Sequence, residues 1–356
     1  MKILIANPFG IGDVLFTTPV ISNIKSRYPD AKIAYLCNRR VAPLLKEDQR
    51  LYKIFVYEKD ELRDAWQKSR CMCLKEVHHL LAQIKHERFD CVLDFSLAGE
   101  FGFFFWLAGI KKRAGFDYKK RSTFLNKRIS LKAFKDKHVI EYYSDLLKLI
   151  NVEPKEKHIK VFVSKNEEKQ AKTLLEASGI SAKKKIVAVI PGGGASWGKN
   201  SYRKNYPADR FAAVADKLIK ECGAQVLIFG DKKEEAIINK VKDKMKQKPS
   251  LVRADFTLRE FAAILSQCSL ALCNDGGPLH VAVGLGVSTV SIFGPVDENV
   301  YGPYPSDKKH IVIKALLECR PCYKNFKLPE CKTARCLQDL APDAVFEACK
   351  KQLELI

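Results

Sequence analysis

Short, nearly continuous apolar runs alternate with helix-like segments twice along this chain, and that alternation constrains the fold more than any other feature. In the first half the runs are "KILIA" (2–6), "KIAYLC" (32–37), "KIFVY" (53–57) and "CVLDFS" (91–96), with Val14–Arg27 and Cys73–His86 reading as helical between them. In the second half "KIVAVI" (185–190), "AQVLIFG" (224–230), "LALCN" (270–274) and "STVSIFG" (288–294) alternate with helical Asp209–Glu221, Lys232–Lys246, Leu258–Ser266 and Pro278–Gly284. A strand apolar on both faces is buried on both, and the helix between two such strands is the crossover that a parallel pair requires. The predicted fold is therefore α/β: two doubly wound domains in tandem, 1–164 and 165–356, with a ligand cleft between them. Ser164 is placed to cap the helix that opens the second domain, and Gly179 to end it.

A length of 356 residues suits two such domains, and no apolar stretch reaches the ~20 residues that span a bilayer. The longest, Phe101–Ile110, is broken by Gly102 and Gly109; core is the leading reading and a dip into the membrane interface is the other. The start, "MKILIANPFG", lacks a signal-peptide cleavage site, so a cytoplasmic location is expected. Lys and Arg outnumber Asp and Glu by 62 to 41, a net charge of +21. Such a surplus suits nucleic acid, an anionic membrane surface or a phosphorylated substrate, and a lysine-rich face also serves solubility.

Three glycine clusters stand at the ends of strands, where open α/β sheets bind ligands. The first, "PFGIGDVLFTTPV", lets Gly10 and Gly12 turn tightly and sets Asp13 at a helix start, where it reads equally as a site carboxylate or as a cap. The second, "VIPGGGASWGKNSYRKNYP", spells the phosphate-loop pattern from Gly193 to Lys199, but Asn200 stands where a magnesium-binding hydroxyl belongs. What survives is a glycine loop carrying Ser196, Lys199, Arg203 and Lys204, suited to a diphosphate. In the third, "CNDGGPLHVAVGLGVSTVSIFGP", Asp275 ends a strand, Gly276 and Gly277 turn the chain, and Pro278 begins a helix with His280 on its first turn. Helix N–H groups and an imidazole then face one spot, where a developing anion is stabilised.

Together these clusters resemble glycosyltransferase family 9, the bacterial ADP-heptose:lipopolysaccharide heptosyltransferases. The resemblance is carried by "MKILIANPFGIGDVLFTTPVISNIKSRYPDAKI", by "PGGGASW" with "KNYP" (204–207), and by "NDGGPLHVAVGLGVSTVSIFGP". It implies two facing Rossmann-like domains of the GT-B type, with the donor held by the C-terminal one. It further implies that Asp13 is the general base of an inverting transfer of heptose from ADP-heptose to the lipopolysaccharide inner core. Ser196, Lys204, Glu234, Asp275, Gly276, Gly277 and His280 are the donor-binding set under this resemblance, and Gly12 joins the acceptor side. This sequence has Gly276 where Ser or Thr is usual, Tyr206 where Trp is usual, and a short insertion around 198–201. No Asp-x-Asp pair occurs, so protein cations and helix amides take the leaving diphosphate, and no cofactor is expected.

"KKRAGFDYKKRSTFLNKR" (111–128) is the expected acceptor patch, with Lys111, Arg113, Lys120 and Arg121 as its contacts to a lipid A–core acceptor. An acceptor of this kind implies a peripheral position on the inner face of the inner membrane, with the membrane surface as a partner. Cys319, Cys322, Cys331 and Cys336 form C-x2-C-x8-C-x4-C; a tetrahedral zinc site is one reading, and free thiols or an oxidation-sensitive pair is the preferred one. Among rival classes, nucleic-acid binding explains the charge, but the cations are dispersed and no reading motif occurs. A nicotinamide enzyme fails because Leu15 stands where G-x-G-x-x-G needs its last glycine. The alternatives that stay open are a glycosyltransferase using another nucleotide sugar, a non-enzymatic basic nucleic-acid- or membrane-binding protein, and a degenerate relative that binds but no longer transfers.

Overall fold

The expected strands form, and every pairing between them is parallel. The computed structural model describes residues 1–58, 69–193 and 195–355, without the side chains of Met72, Cys73, Ala195, Ser196 and Lys199. The chain divides into two compact units, Met1–His158 and Ile159–Ile356. The division falls before the expected boundary at 164. Val161 N–H donates to the Gly284 carbonyl at 3.0 Å, and the Phe162 carbonyl accepts from Arg259 at 2.8 Å, which fastens this segment to the second unit. Ser164 caps the helix Lys165–Ala177 in a reciprocal capping box with Glu167, as its sequence indicates.

The first unit contains β1 (Lys2–Ala6), β2 (Lys32–Cys37), β3 (Leu51–Val56), β4 (Cys91–Asp94), β5 (Lys112–Tyr118) and β6 (Lys127–Leu131), ordered β3-β2-β1-β4-β5-β6. The second contains β7 (Ile186–Ile190), β8 (Gln225–Phe229), β9 (Leu251–Arg253), β10 (Leu270–Asn274), β11 (Ser288–Phe293) and β12 (His310–Lys314), ordered β12-β11-β10-β7-β8-β9. Both are the doubly wound Rossmann order, reversing direction at the first strand of each unit. β5, β6, β9 and β12 have no counterpart among the expected runs. β5 and β6 lie within and just past the basic stretch, where cations on both sides of Ala114–Phe116 hide a strand only three residues of which are buried.

The central strands are buried along their length because helices cover them. Leu4, Leu36, Val92 and Phe105 share one core cluster of the first unit, and Val189, Phe211, Ile228, Leu272, Ile292 and Phe346 share one of the second. The helix expected over 14–27 is two, Ile11–Leu15 and Thr18–Arg27, with Pro19 in the first turn of the latter. Proline has no N–H to continue the first helix, so it starts the second.

The aromatic stretch corrects the expectation that it is core. In the helix Gly99–Leu107, Phe101 and Phe105 are buried, but Phe103, Trp106 and Leu107 are 38%, 50% and 40% exposed. A helix that is apolar all round cannot bury every face against one sheet.

Candidate active site

In the first unit β1 runs into a loop held by two buried amides. Asn7 donates to the Asp13 carbonyl at 3.0 Å and accepts from Phe9 N–H at 3.2 Å, while Asn38 donates to the carbonyls of Pro8 and Phe9. The short helix Ile11–Leu15 that follows begins at Gly10, with no side chain capping it, and Asp13 lies within its first turn. Asp13 is therefore not the cap of that helix. Its side chain is partly exposed, at the carboxyl end of the central strand. Gly12 sits one residue before it and spends its carbonyl on Phe16 N–H at 2.9 Å.

A second carboxyl at this end of the sheet is not among the residues expected from sequence. Asp94 ends β4 in register with Ala6 of β1, and it is buried. Burial raises its pKa to about 6, against the opposing pull of the Ser96 N–H bonded to it at 2.9 Å. The "CVLDFS" run holds the signal, an acid on the last residue of an otherwise apolar buried strand.

The acceptor patch divides. Lys111, Lys120 and Arg121 are exposed, as an anion-binding role requires. Arg113 lies in β5, and its guanidinium donates to the backbone carbonyls of Phe124 and Ile110, both at 2.6 Å, so it buttresses the strand.

In the second unit the site is built at the ends of β7, β8 and β10. After β7 the chain passes through Pro191, Gly192 and Gly193 into a 3-10 helix, Ala195–Lys204, kinked at Gly198. A phosphate loop feeds an α-helix directly, so this geometry ends the NTPase reading. Asn274, at the end of β10, ties the loops together: its side chain donates to the carbonyls of Pro191 at 2.8 Å and Gly192 at 3.2 Å and accepts from Tyr206 N–H at 2.9 Å. Sequence alone does not single out Asn274 either. Tyr206 is fully buried, and its hydroxyl donates to the Leu340 carbonyl at 2.9 Å.

That clamp places Lys204 against the next residue of the third cluster. Lys204 Nζ lies 2.7 Å from the Asp275 carboxylate and 4.5 Å from the centre of the Trp197 ring. Gly276 then leads into the helix Gly277–Gly284, whose N-terminus carries no side-chain cap. Its first N–H groups lack intrahelical partners by the nature of a helix start, and the dipole there favours an anion. His280 lies on this helix and is buried. Lys204 and Asp275 are thus brought into contact, with Gly276 and Gly277 next in the chain and His280 on the helix they lead into; the Ser196 side chain lies outside the described ones.

Glu234 approaches the same loop from the end of β8. Its carboxylate accepts from Gly193 N–H at 2.6 Å, and burial raises its pKa. A Cβ at Gly192 would run into that carboxylate and one at Gly230 would stand 2.5 Å from it, so both glycines serve this approach. Gly193 itself has φ +111°, a conformation that other residues rarely adopt. Asp231 caps the short helix Lys232–Glu234 through its own carboxylate. Among the described residues no three His, Cys, Asp or Glu side chains are gathered as metal ligands.

A doubly wound pair with a cation, an uncapped helix start and glycine loops at its strand ends defines a protein that handles a phosphorylated ligand. The family model described as glycosyltransferase family 9 (heptosyltransferase) matches residues 77–332. Lipopolysaccharide heptosyltransferase 3 of Escherichia coli is 24% identical over 300 residues, covering 83% of this chain and 84% of that protein. Among solved structures, a family 9 glycosyltransferase from Veillonella parvula has a TM-score of 0.83 at 20% identity, covering 100% of this chain and 98% of its own. The Escherichia coli heptosyltransferase WaaC with ADP has a TM-score of 0.76 at 16% identity, covering 99% and 100%. This chain belongs to glycosyltransferase family 9.

Proposed function

We propose that this enzyme transfers heptose from ADP-heptose to a lipopolysaccharide inner-core acceptor, with inversion and with Asp13 as the single base. The observation that carries the reading is the Lys204–Asp275 pair beside the uncapped start of the helix Gly277–Gly284. Asp13 takes the proton of the acceptor hydroxyl as its oxygen bonds to the anomeric carbon of the donor. The bond from that carbon to the diphosphate oxygen breaks, and the electron pair leaves with ADP. Lys204 and the amides near Gly277 meet the charge that develops on the diphosphate. His280 donates to the same group from the first turns of the helix. The sequence has no Asp-x-Asp pair to hold a metal for this task. The donor assignment is supported by the family and by the ADP in the similar WaaC structure.

The acceptor's lipid places the work at a membrane surface, on the cytoplasmic face of the inner membrane. Phe103, Trp106 and Leu107 project from one helix, and the rings of Phe103 and Trp106 stack at 6.0 Å. Exposed Lys111, Lys120, Arg121, Lys127 and Arg128 follow in the same unit. Aromatic side chains with cations suit the headgroup boundary of an anionic leaflet. No helix among the described residues is long and apolar enough to cross a membrane.

The test is transfer of labelled sugar by purified protein in EDTA, from a panel of ADP- and UDP-sugars onto Kdo-lipid A and heptosylated acceptors. Transfer from ADP-heptose, with inverted anomeric configuration in the product, is expected. Transfer from a UDP-sugar alone, or with retained configuration, overturns the proposal.

A further inference from the structure

The four cysteines that the transfer chemistry leaves unused converge on one cavity. Cys319, Cys322, Cys331 and Cys336 all line a space of about 450 Å³ in the second unit, together with Arg203 and Arg320. The chain from Ala315 to Ala334 that carries three of them has almost no regular structure beyond a single bridge between Lys324 and Lys327. Loops of that length inside a compact domain are commonly functional or held by something besides backbone pairing.

Backbone hydrogen bonds hold the thiol-bearing loop in place. The Cys322 and Tyr323 N–H groups both donate to the Pro295 carbonyl at 3.0 Å, which pins the first C-x2-C turn to the loop after β11. Ala334 N–H donates to the Cys331 sulfur at 3.3 Å, the polarity a thiolate prefers.

Charge supplies an independent observation. Arg203 is only 5% exposed and lines the cavity, yet among the described residues it meets no carboxylate; its guanidinium donates to the Pro329 carbonyl at 2.6 Å. A buried guanidinium without a counter-ion is costly unless an anion faces it. Four neutral thiols supply no anion, whereas four thiolates around a divalent cation carry a net charge of two minus.

We propose that Cys319, Cys322, Cys331 and Cys336 bind one thiophilic divalent cation of the zinc class, as a structural four-thiolate site. All four cysteines line the cavity, but among the described residues they are not gathered into a closed ligand set, so binding also contracts the loop around the ion. On binding, each thiol loses its proton to solvent and each sulfur bonds to the metal; nothing is oxidised or reduced. Arg203 offsets part of the resulting charge, whereas Arg320 already pairs with Glu298 at 2.9 Å. The consequence reaches the donor loop. Arg203 precedes Lys204 in the chain, and the Tyr323 ring, next to Cys322, lies 5.1 Å from the Trp197 ring. Metal binding therefore steadies the segment that positions Lys204.

The metal count does not depend on which sugar nucleotide the enzyme uses. Protein purified under reducing conditions, stripped with chelator and titrated with zinc against a chromogenic chelator is expected to bind about one ion per chain. Cobalt in its place is expected to give the intense visible bands of a tetrahedral thiolate complex. Cys322→Ser and Cys331→Ser should each lose both signals, whereas Cys71→Ser, on a helix of the first unit, should keep them. Circular dichroism of the variants separates ligand loss from unfolding, and a folded Cys322→Ser protein that binds zinc as wild type does overturns the proposal. So does a reduced wild-type protein that takes up no zinc, or cobalt bands without thiolate character.

Discussion

Lys204 and Asp275 form an ion pair of 2.7 Å in which both side chains are almost wholly withdrawn from water, one from the segment after β7 and the other from the end of β10. A buried pair contributes little relative to an apolar pair, but removing one partner leaves the other charged and unsolvated. Lys204→Ala is expected to cost about 3–5 kcal/mol of unfolding free energy at neutral pH. The double variant with Asp275→Asn should recover part of that loss. Denaturant melts of the four proteins give the coupling energy, and ADP titration of the folded ones should show weakened binding wherever Lys204 is gone.

Asp13 is not the helix cap, so its replacement should leave the fold intact. Asp13→Asn is expected to lower kcat by about 10²–10⁴-fold with an unchanged melting temperature. Equal loss of stability would instead assign the residue to structure.

Gly192 lies where a methyl group would enter the Glu234 carboxylate. Gly192→Ala is expected to destabilise the protein by about 1–3 kcal/mol and to weaken donor binding. Adding Glu234→Ala should relieve the clash, and recovery of the melting temperature in the double variant measures it.

Asp94 gives a pH dependence of defined sign. Its pKa is raised from 3.8 to about 6, so between those values the folded protein holds a proton that the unfolded chain has released. Stability from this group therefore falls as pH rises through that window, and the full penalty, about 3 kcal/mol, applies above it. The advantage of Asp94→Asn over wild type should grow from about pH 4 to about 6.5 and then level off, as read by urea melts across pH.

The exposed aromatics predict partition onto vesicles. Binding to phosphatidylglycerol-containing liposomes should fall on Trp106→Ser with Phe103→Ser, and with rising salt, while transfer to a detergent-dispersed acceptor persists. Unchanged sedimentation with liposomes would remove this surface from membrane binding.

Both sheets are legible in the sequence because central strands are apolar on both faces and carry their own signature. The strands β5, β6, β9 and β12 are not, because a strand covered on fewer sides keeps its charged residues and its apolar run is diluted. At the site, Asp275, Gly277 and His280 follow from a strand end, a turn and a proline-started helix, all local in sequence. Asn274 and Asp94 do not: an amide that clamps Pro191 and Tyr206, or a carboxyl whose pKa is set by burial, has its role assigned by residues far away in the chain. The same holds for the cysteines. Their spacing leaves zinc, free thiols and an oxidised pair all open, and the shared cavity with a buried Arg203 is a property of the tertiary structure alone. Sequence by itself determined the class of fold, the strand-end location of the loops and the family. Tertiary structure decided which polar groups meet, because burial and pairing, which set the energy of a charge, are long-range quantities.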